Sequence, residues 1–154
     1  MLINLQKPSR PAMHLLKTLS NAHLDELLSL TSENPSARDL NDVLQIMSDV
    51  ALRVEQLRDL RWADVDVSLR MLAITTRASG VRLVSVSAKS IRVLERRRER
   101  EPESEYVLGI ARHALLDRVT RQLAFHFIYL GLGRLSLHMV CRAFAARVLA
   151  PAGA

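Results

Sequence analysis

Residues 51–66, ALRVEQLRDLRWADVD, form the most specific string in the chain. Val54 to Leu60 read as a short helix with Arg53 immediately ahead of it. Taken alone, that arginine is a solvated or capping side chain on a helix surface. Upstream, Leu40, Val43, Leu44, Met47, Val50 and Ala51 recur at spacings of three and four, the mark of one buried stripe on a helix that begins near Ser36. Asn34 and Pro35 separate it from an earlier helix, capped by Ser20 and running to about Ser32. On that helix Leu24, Leu27 and Leu28 share a face, and Asp25 and Glu26 lie in the N-terminal half, where the helix dipole favours them. Further back, Met1 to Met13 holds Pro8 and Pro11 beside Lys7 and Arg10 and reads as an extended strap.

Downstream, Met71 to Thr76 and Val81 to Val86 flank Ala78, Ser79 and Gly80, and β-branched runs around a glycine-containing turn predict a hairpin. Ser87 caps a helix through Arg100, with Ile91, Val93 and Leu94 on its apolar side. Lys89, Arg92, Arg96, Arg97, Arg98 and Arg100 wrap the rest as a solvated face that Glu95, Glu99 and Glu101 partly neutralise. Arg112 to about Leu130 and Leu137 to Leu149 predict two more helices across a turn at Gly131 to Ser136. Phe125, Phe127 and Tyr129 sit among apolar neighbours and read as packing rather than a stacking platform. The predicted fold class is α+β and mainly helical, with helices around a small antiparallel hairpin sheet. Residues 1–17 are expected to be a lead-in and residues 18–154 one domain.

The chain has 154 residues, of which 49% are apolar and 25% charged, so global disorder and fibrous repeats are excluded. Lys and Arg number 22 against 16 Asp and Glu, a net charge of +6 that favours polyanions, nucleic acid ahead of an anionic membrane surface. A single cysteine, Cys141, excludes an internal disulfide and a multi-cysteine zinc site, and fits a reducing cytoplasm. The longest apolar stretch, Leu123 to Gly133, contains His126 and falls well short of the roughly 18 residues that span a bilayer. Met1 to Pro11 has no apolar core behind its basic residues and is not expected to be a secretory signal. His14, His23, His113, His126 and His138 show no paired spacing with carboxylates, so neither metal nor cofactor is expected.

The string at 51–66 resembles the "GLRxSELLxLRWxDID" signature of the tyrosine recombinases, the phage integrase family. The hairpin residues Thr76, Arg77, Ala78, Ser79 and Gly80 are similar to the family's "TKTG" turn, and Val84 to Ser87 to its "VPLS" helix lead-in. Leu137, His138, Met139, Val140, Cys141, Arg142, Ala143, Phe144 and Ala145 are similar to "PHDLRHTFA". These matches run in the family's order over about Thr18 to Gly153.

Such enzymes cut one DNA strand by attack of a tyrosine on a phosphodiester, so charge builds on a phosphorane that cations must surround. The resemblance implies that Arg53 is the first phosphate-clamping arginine, a bidentate fork for two phosphate oxygens. The family's carboxylate three residues on falls on Gln56, with Glu55 facing elsewhere. The hairpin lysine, a general acid in the family, aligns with Arg77, which holds phosphate but donates protons slowly at neutral pH. His138 matches the histidine of "HxxR", whereas the second essential arginine aligns with Cys141, a neutral group without a fork. Arg142 is displaced from that position by the register of Phe144 and Ala145. The family's nucleophilic tyrosine lies beyond this motif, and Tyr106 and Tyr129 both precede it.

The expectation is therefore a shortened, catalytically inactive domain of this fold that binds double-stranded DNA as a regulatory factor. Arg53, Arg77, His138 and Arg142 would line the phosphate pocket, flanked by Arg82, Lys89 and Arg92. One rival is an integrase piece that receives a tyrosine in trans. Another is an interaction module, whose apolar groove, left where the family's final helices would lie, takes the Met1 to Met13 arm, a second copy or a partner helix. Cys141 is expected to pack as a small core residue.

Overall fold

The Ser20 hydroxyl accepts a hydrogen bond from the His23 N–H (3.1 Å) and opens α1 (Asn21–Ser32) in a computed structural model that describes residues 19–78, 80–133 and 136–150. The strap expected at Met1 to Met13 and the boundary at residue 17 lie outside the described residues. Asn34 accepts from the Ser36 N–H (3.0 Å), and a 3-10 turn at Pro35–Ala37 leads into α2 (Arg38–Asp49). Leu40, Val43, Leu44, Ile46 and Met47 of α2 are all buried, each contributing about 1.5–3 kcal/mol relative to exposure. Asn41 fastens α2 to α1 by donating to the Leu28 carbonyl (3.1 Å) and the Thr31 hydroxyl (2.9 Å). The helix stops at Asp49, and Val50 adopts an extended backbone (φ −129°, ψ 130°). Val50 is nevertheless buried and Ala51 half-buried, so the predicted stripe holds for burial as far as Val50 and is wrong about the element carrying its last two residues.

Next come α3 (Val54–Arg58), a 3-10 turn (Trp62–Asp64) and a three-stranded antiparallel sheet in the order β1 (Val65–Asp66), β2 (Met71–Thr76), β3 (Gly80–Ser85). Thr76 pairs with Gly80 across the hairpin, and Leu72 and Ile74 turn into the core. The two-residue β1 is not anticipated from sequence, being too short for alternation to register.

The Ser87 hydroxyl accepts from the Ser90 N–H (3.1 Å) to cap α4 (Ala88–Arg100), while the Ser87 N–H donates to Asp49 Oδ2 (2.9 Å). Helix α4 thus runs back along α2. Arg97 corrects the expected solvated face: it is 7% exposed, with Nη1 on Asp42 (2.9 Å) and Asp39 (3.1 Å) and Nε on the Val107 carbonyl (3.1 Å). Its place three and four residues beyond Leu94 and Val93 puts it on the buried stripe, and the 1%-exposed Asp42 supplies the counter-charge.

Helix α5 (Arg112–Tyr129) buries Leu115, Leu116, Val119, Leu123 and Phe127, and α6 (Leu137–Leu149) buries Leu137, Val140, Cys141 and Phe144. The packing expected for the end of α5 holds for Phe127 alone of the three aromatics. Phe125 and Tyr129 are 79% and 76% exposed, because at 100° per residue they fall opposite the buried stripe. Among the described residues, no helix is long and apolar enough to cross a membrane.

Candidate nucleic-acid interface

Where α2 ends, the chain turns through Val50–Leu52 and Arg53 becomes the residue ahead of α3. Its backbone N–H donates to Gln56 Oε1 (2.8 Å), and Gln56 Nε2 donates to the Thr75 carbonyl at the end of β2 (3.1 Å). A neutral amide at position 56 therefore holds the start of α3 against the hairpin. The Arg53 guanidinium is exposed and has no carboxylate partner among the described residues. Arg82, on β3, donates Nη2 to the Ala51 carbonyl (2.9 Å), so part of its hydrogen-bonding capacity fixes the sheet to the same turn. Arg77 stands exposed at the hairpin tip, ahead of Gly80, whose φ of +76° is the left-handed conformation that favours glycine.

Helix α6 closes the other side. Ser136 caps it by accepting from the Met139 N–H (3.2 Å), and His138 in its first turn is exposed, with Nε2 3.6 Å from Glu55 Oε1. Glu55 thus faces this site rather than pointing elsewhere, a correction that follows from α3 packing directly against α6. Cys141 is buried and its thiol donates to the Leu52 carbonyl, one residue before Arg53. Burial, and next the Glu55 carboxylate, push the thiol's pKa above its ordinary value, so Cys141 is held neutral at this site. Arg142 is exposed and lines a separate cleft between α6 and the start of α1, with Leu19, Asn21 and Met139.

The structure therefore brings Arg53, Gln56, Cys141, His138 and Glu55 together around the junction of α2, α3 and α6, with Arg82 tied to its edge. Lys89 and Arg92 are exposed on the N-terminal half of α4 and, like Arg77, have no carboxylate partner among the described residues. The tyrosines lie elsewhere. Two guanidiniums lie over the Tyr106 ring, those of Arg61 (5.5 Å to the ring centroid) and Arg112 (3.6 Å). Tyr129 lines a cleft with Leu30 and Asn34. Glu55 was missed as a partner of His138; no signal in the sequence places residues of α3 and α6 face to face.

The profile described as the phage integrase family matches residues 17–153. XerA recombinase is a structural neighbour with a TM-score of 0.63 and 16% identity, over 86% of this chain and 50% of that one. A Tn1549 transposon integrase solved with circular intermediate DNA gives 0.63 and 12%, over 85% and 52%. The XerH site-specific recombinase bound to its difH substrate gives 0.66 and 16%, over 86% and 42%. The chain thus spans about half the length of these structures, and at such identities the likeness establishes the fold, that of a tyrosine recombinase catalytic domain. No curated protein matches the sequence.

Proposed function

Since the chain belongs to the phage integrase family, we propose that it binds duplex DNA through the face around Arg53 and does so without cleaving it. A DNA phosphate would meet Arg53 and Arg77, with His138 donating a hydrogen bond from a ring N–H. Lys89 and Arg92 would contact the flanking backbone, Arg82 would add what its bond to Ala51 leaves free, and Arg142 would reach the backbone from the outer side of α6. The duplex would occupy this face in place of intramolecular ion pairs. The observation that carries the reading is Arg53, exposed and without a carboxylate partner among the described residues, held at the turn that also receives Cys141.

Cleavage needs more than binding. A phosphorane asks for two bidentate cations and a proton donor to the leaving oxygen. The position that would bring the second fork is a neutral thiol bonded to a backbone carbonyl, and the hairpin residue that would give up a proton is an arginine. Groups of this kind act as a unit, so a nucleophile reaching this pocket from any source would find little rate enhancement. The resulting role is that of a DNA-binding regulatory factor. The test incubates the protein with labelled duplexes carrying a nick, and compares Arg53→Gln with the unaltered protein. The expected result is salt-sensitive binding weakened by the substitution and no covalent protein–DNA band; a covalent adduct overturns the inactive reading, and equal affinity of the two proteins overturns the site.

A further inference from the structure

Two clefts adjoin at the end of α2 opposite Arg53, some 18 Å from it along a helix of 12 residues. One, of about 410 Å³, lies between the end of α1 and the C-terminal half of α5 and is lined by Leu30, Ala37, Gln122, Phe125, His126 and Tyr129. The other, of about 490 Å³, is lined by Thr31, Ser32, Arg38, Asn41, Arg96 and Arg100. Asn34 lines both, so the clefts meet over the Pro35–Ala37 turn.

Their chemistries are complementary. In the first cleft the Phe125 and Tyr129 rings stand four residues apart on one helix face, 79% and 76% exposed, an apolar surface with nothing over it among the described residues. Gln122 Nε2 donates to the Ser36 carbonyl (2.9 Å) and ties the floor of this cleft to the Pro35–Ala37 turn. In the second cleft Arg38 is exposed and has no carboxylate partner among the described residues. Arg96 and Arg100 share the single buried carboxylate of Asp42, at 3.7 and 3.0 Å, with Arg97. Among the described residues Glu99 is the other acidic group lining it, so the three arginines leave positive charge in excess at the mouth.

Aromatic faces beside a cationic groove are what an unpaired nucleic-acid strand requires, since every base has a π-face to stack and every nucleotide a phosphate to neutralise. A duplex offers its phosphates but keeps its base faces stacked and covered. We infer that these adjoining clefts form a single-stranded DNA site, with bases on Phe125 and Tyr129 and phosphates on Arg38, Arg96 and Arg100. The site shares no residue with the duplex face, so each stands or falls separately.

The experiment measures anisotropy of a labelled oligothymidine of about twelve nucleotides, and of an abasic strand of equal length, against the full chain. Phe125→Ala with Tyr129→Ala should weaken oligothymidine binding about fivefold or more and leave the abasic strand and duplex unaffected. Arg38→Gln should weaken both single strands and spare the duplex. Unchanged circular dichroism and melting would confirm that the altered side chains, all exposed, do not hold the fold. Failure of the unaltered protein to bind oligothymidine, equal losses on duplex and single strand, or a change in oligomeric state with no change in strand affinity would each overturn the assignment.

Discussion

Replacing Asp42 by Asn removes one charge from the centre of the molecule while keeping the side chain's shape. Asp42 is 1% exposed and accepts from Arg97 (2.9 Å) and Arg100 (3.0 Å), with Arg96 at 3.7 Å; Arg97 is itself 7% exposed. Taking one partner from a buried pair leaves the other charge uncompensated, at a cost of about 3–5 kcal/mol. Asp39 remains 3.1 Å from Arg97 and keeps part of the compensation, so the lower end applies, about 3 kcal/mol. In a domain of this size that lowers the melting temperature by roughly 6–12 °C. Urea unfolding followed by far-ultraviolet circular dichroism should show the loss as a lower midpoint at unchanged slope. Asp25→Asn is the control: its ion pair with Arg147 (2.8 Å) is equally short but Asp25 is 61% exposed, and its loss should cost under about 1 kcal/mol. If Asp42→Asn costs no more than that control, the network is not the clamp between α2 and α4 that its geometry implies.

Three further outcomes follow from single residues. Burial raises the Asp39 pKa, but hydrogen bonds from Arg118 and Arg97 outweigh it and hold the group below its usual 3.8; a depressed folded-state pKa contributes stability above that value and loses it as pH falls. Melting temperatures recorded from pH 6 down to pH 2.5 should therefore decline less steeply in Asp39→Asn than in the unaltered protein, and parallel curves would contradict this. Cys141, neutral and buried against Leu52, should react slowly with a disulfide reagent at pH 7.5 and rapidly in guanidinium, whereas equal rates would mean that the thiol is accessible. Gly80→Ala meets no atom within 4 Å, so only its φ of +76° opposes the change, and unfolding stability should fall by about 1 kcal/mol; a neutral result would mean the hairpin relaxes freely.

The helices were legible wherever a cap and a periodic stripe coincide, as at Ser20 and Ser87, because those hydroxyl bonds and the 3.6-residue period are local properties. What escaped was set by tertiary partners. Arg97 reads as surface until Asp42 is placed opposite it, and Asp42 lies on a helix 55 residues earlier. Phe125 and Tyr129 read as core because their neighbours are apolar, although the stripe through Leu116, Val119, Leu123 and Phe127 leaves them on the far face. At the candidate site, the placement of Arg53 before a short helix follows from the string around it, whereas the His138–Glu55 contact and the bridge from Gln56 to Thr75 join segments that no local pattern links.

The most direct measurement of the DNA-binding claim is the salt dependence of duplex affinity, taken on the unaltered protein and on Arg53→Gln. Engagement of about six phosphates gives a slope near −5 in log K against log salt concentration, and removing one contact should make it shallower by about 1. Absence of duplex binding, a nearly flat slope, or an identical slope and affinity in the two proteins would contradict it.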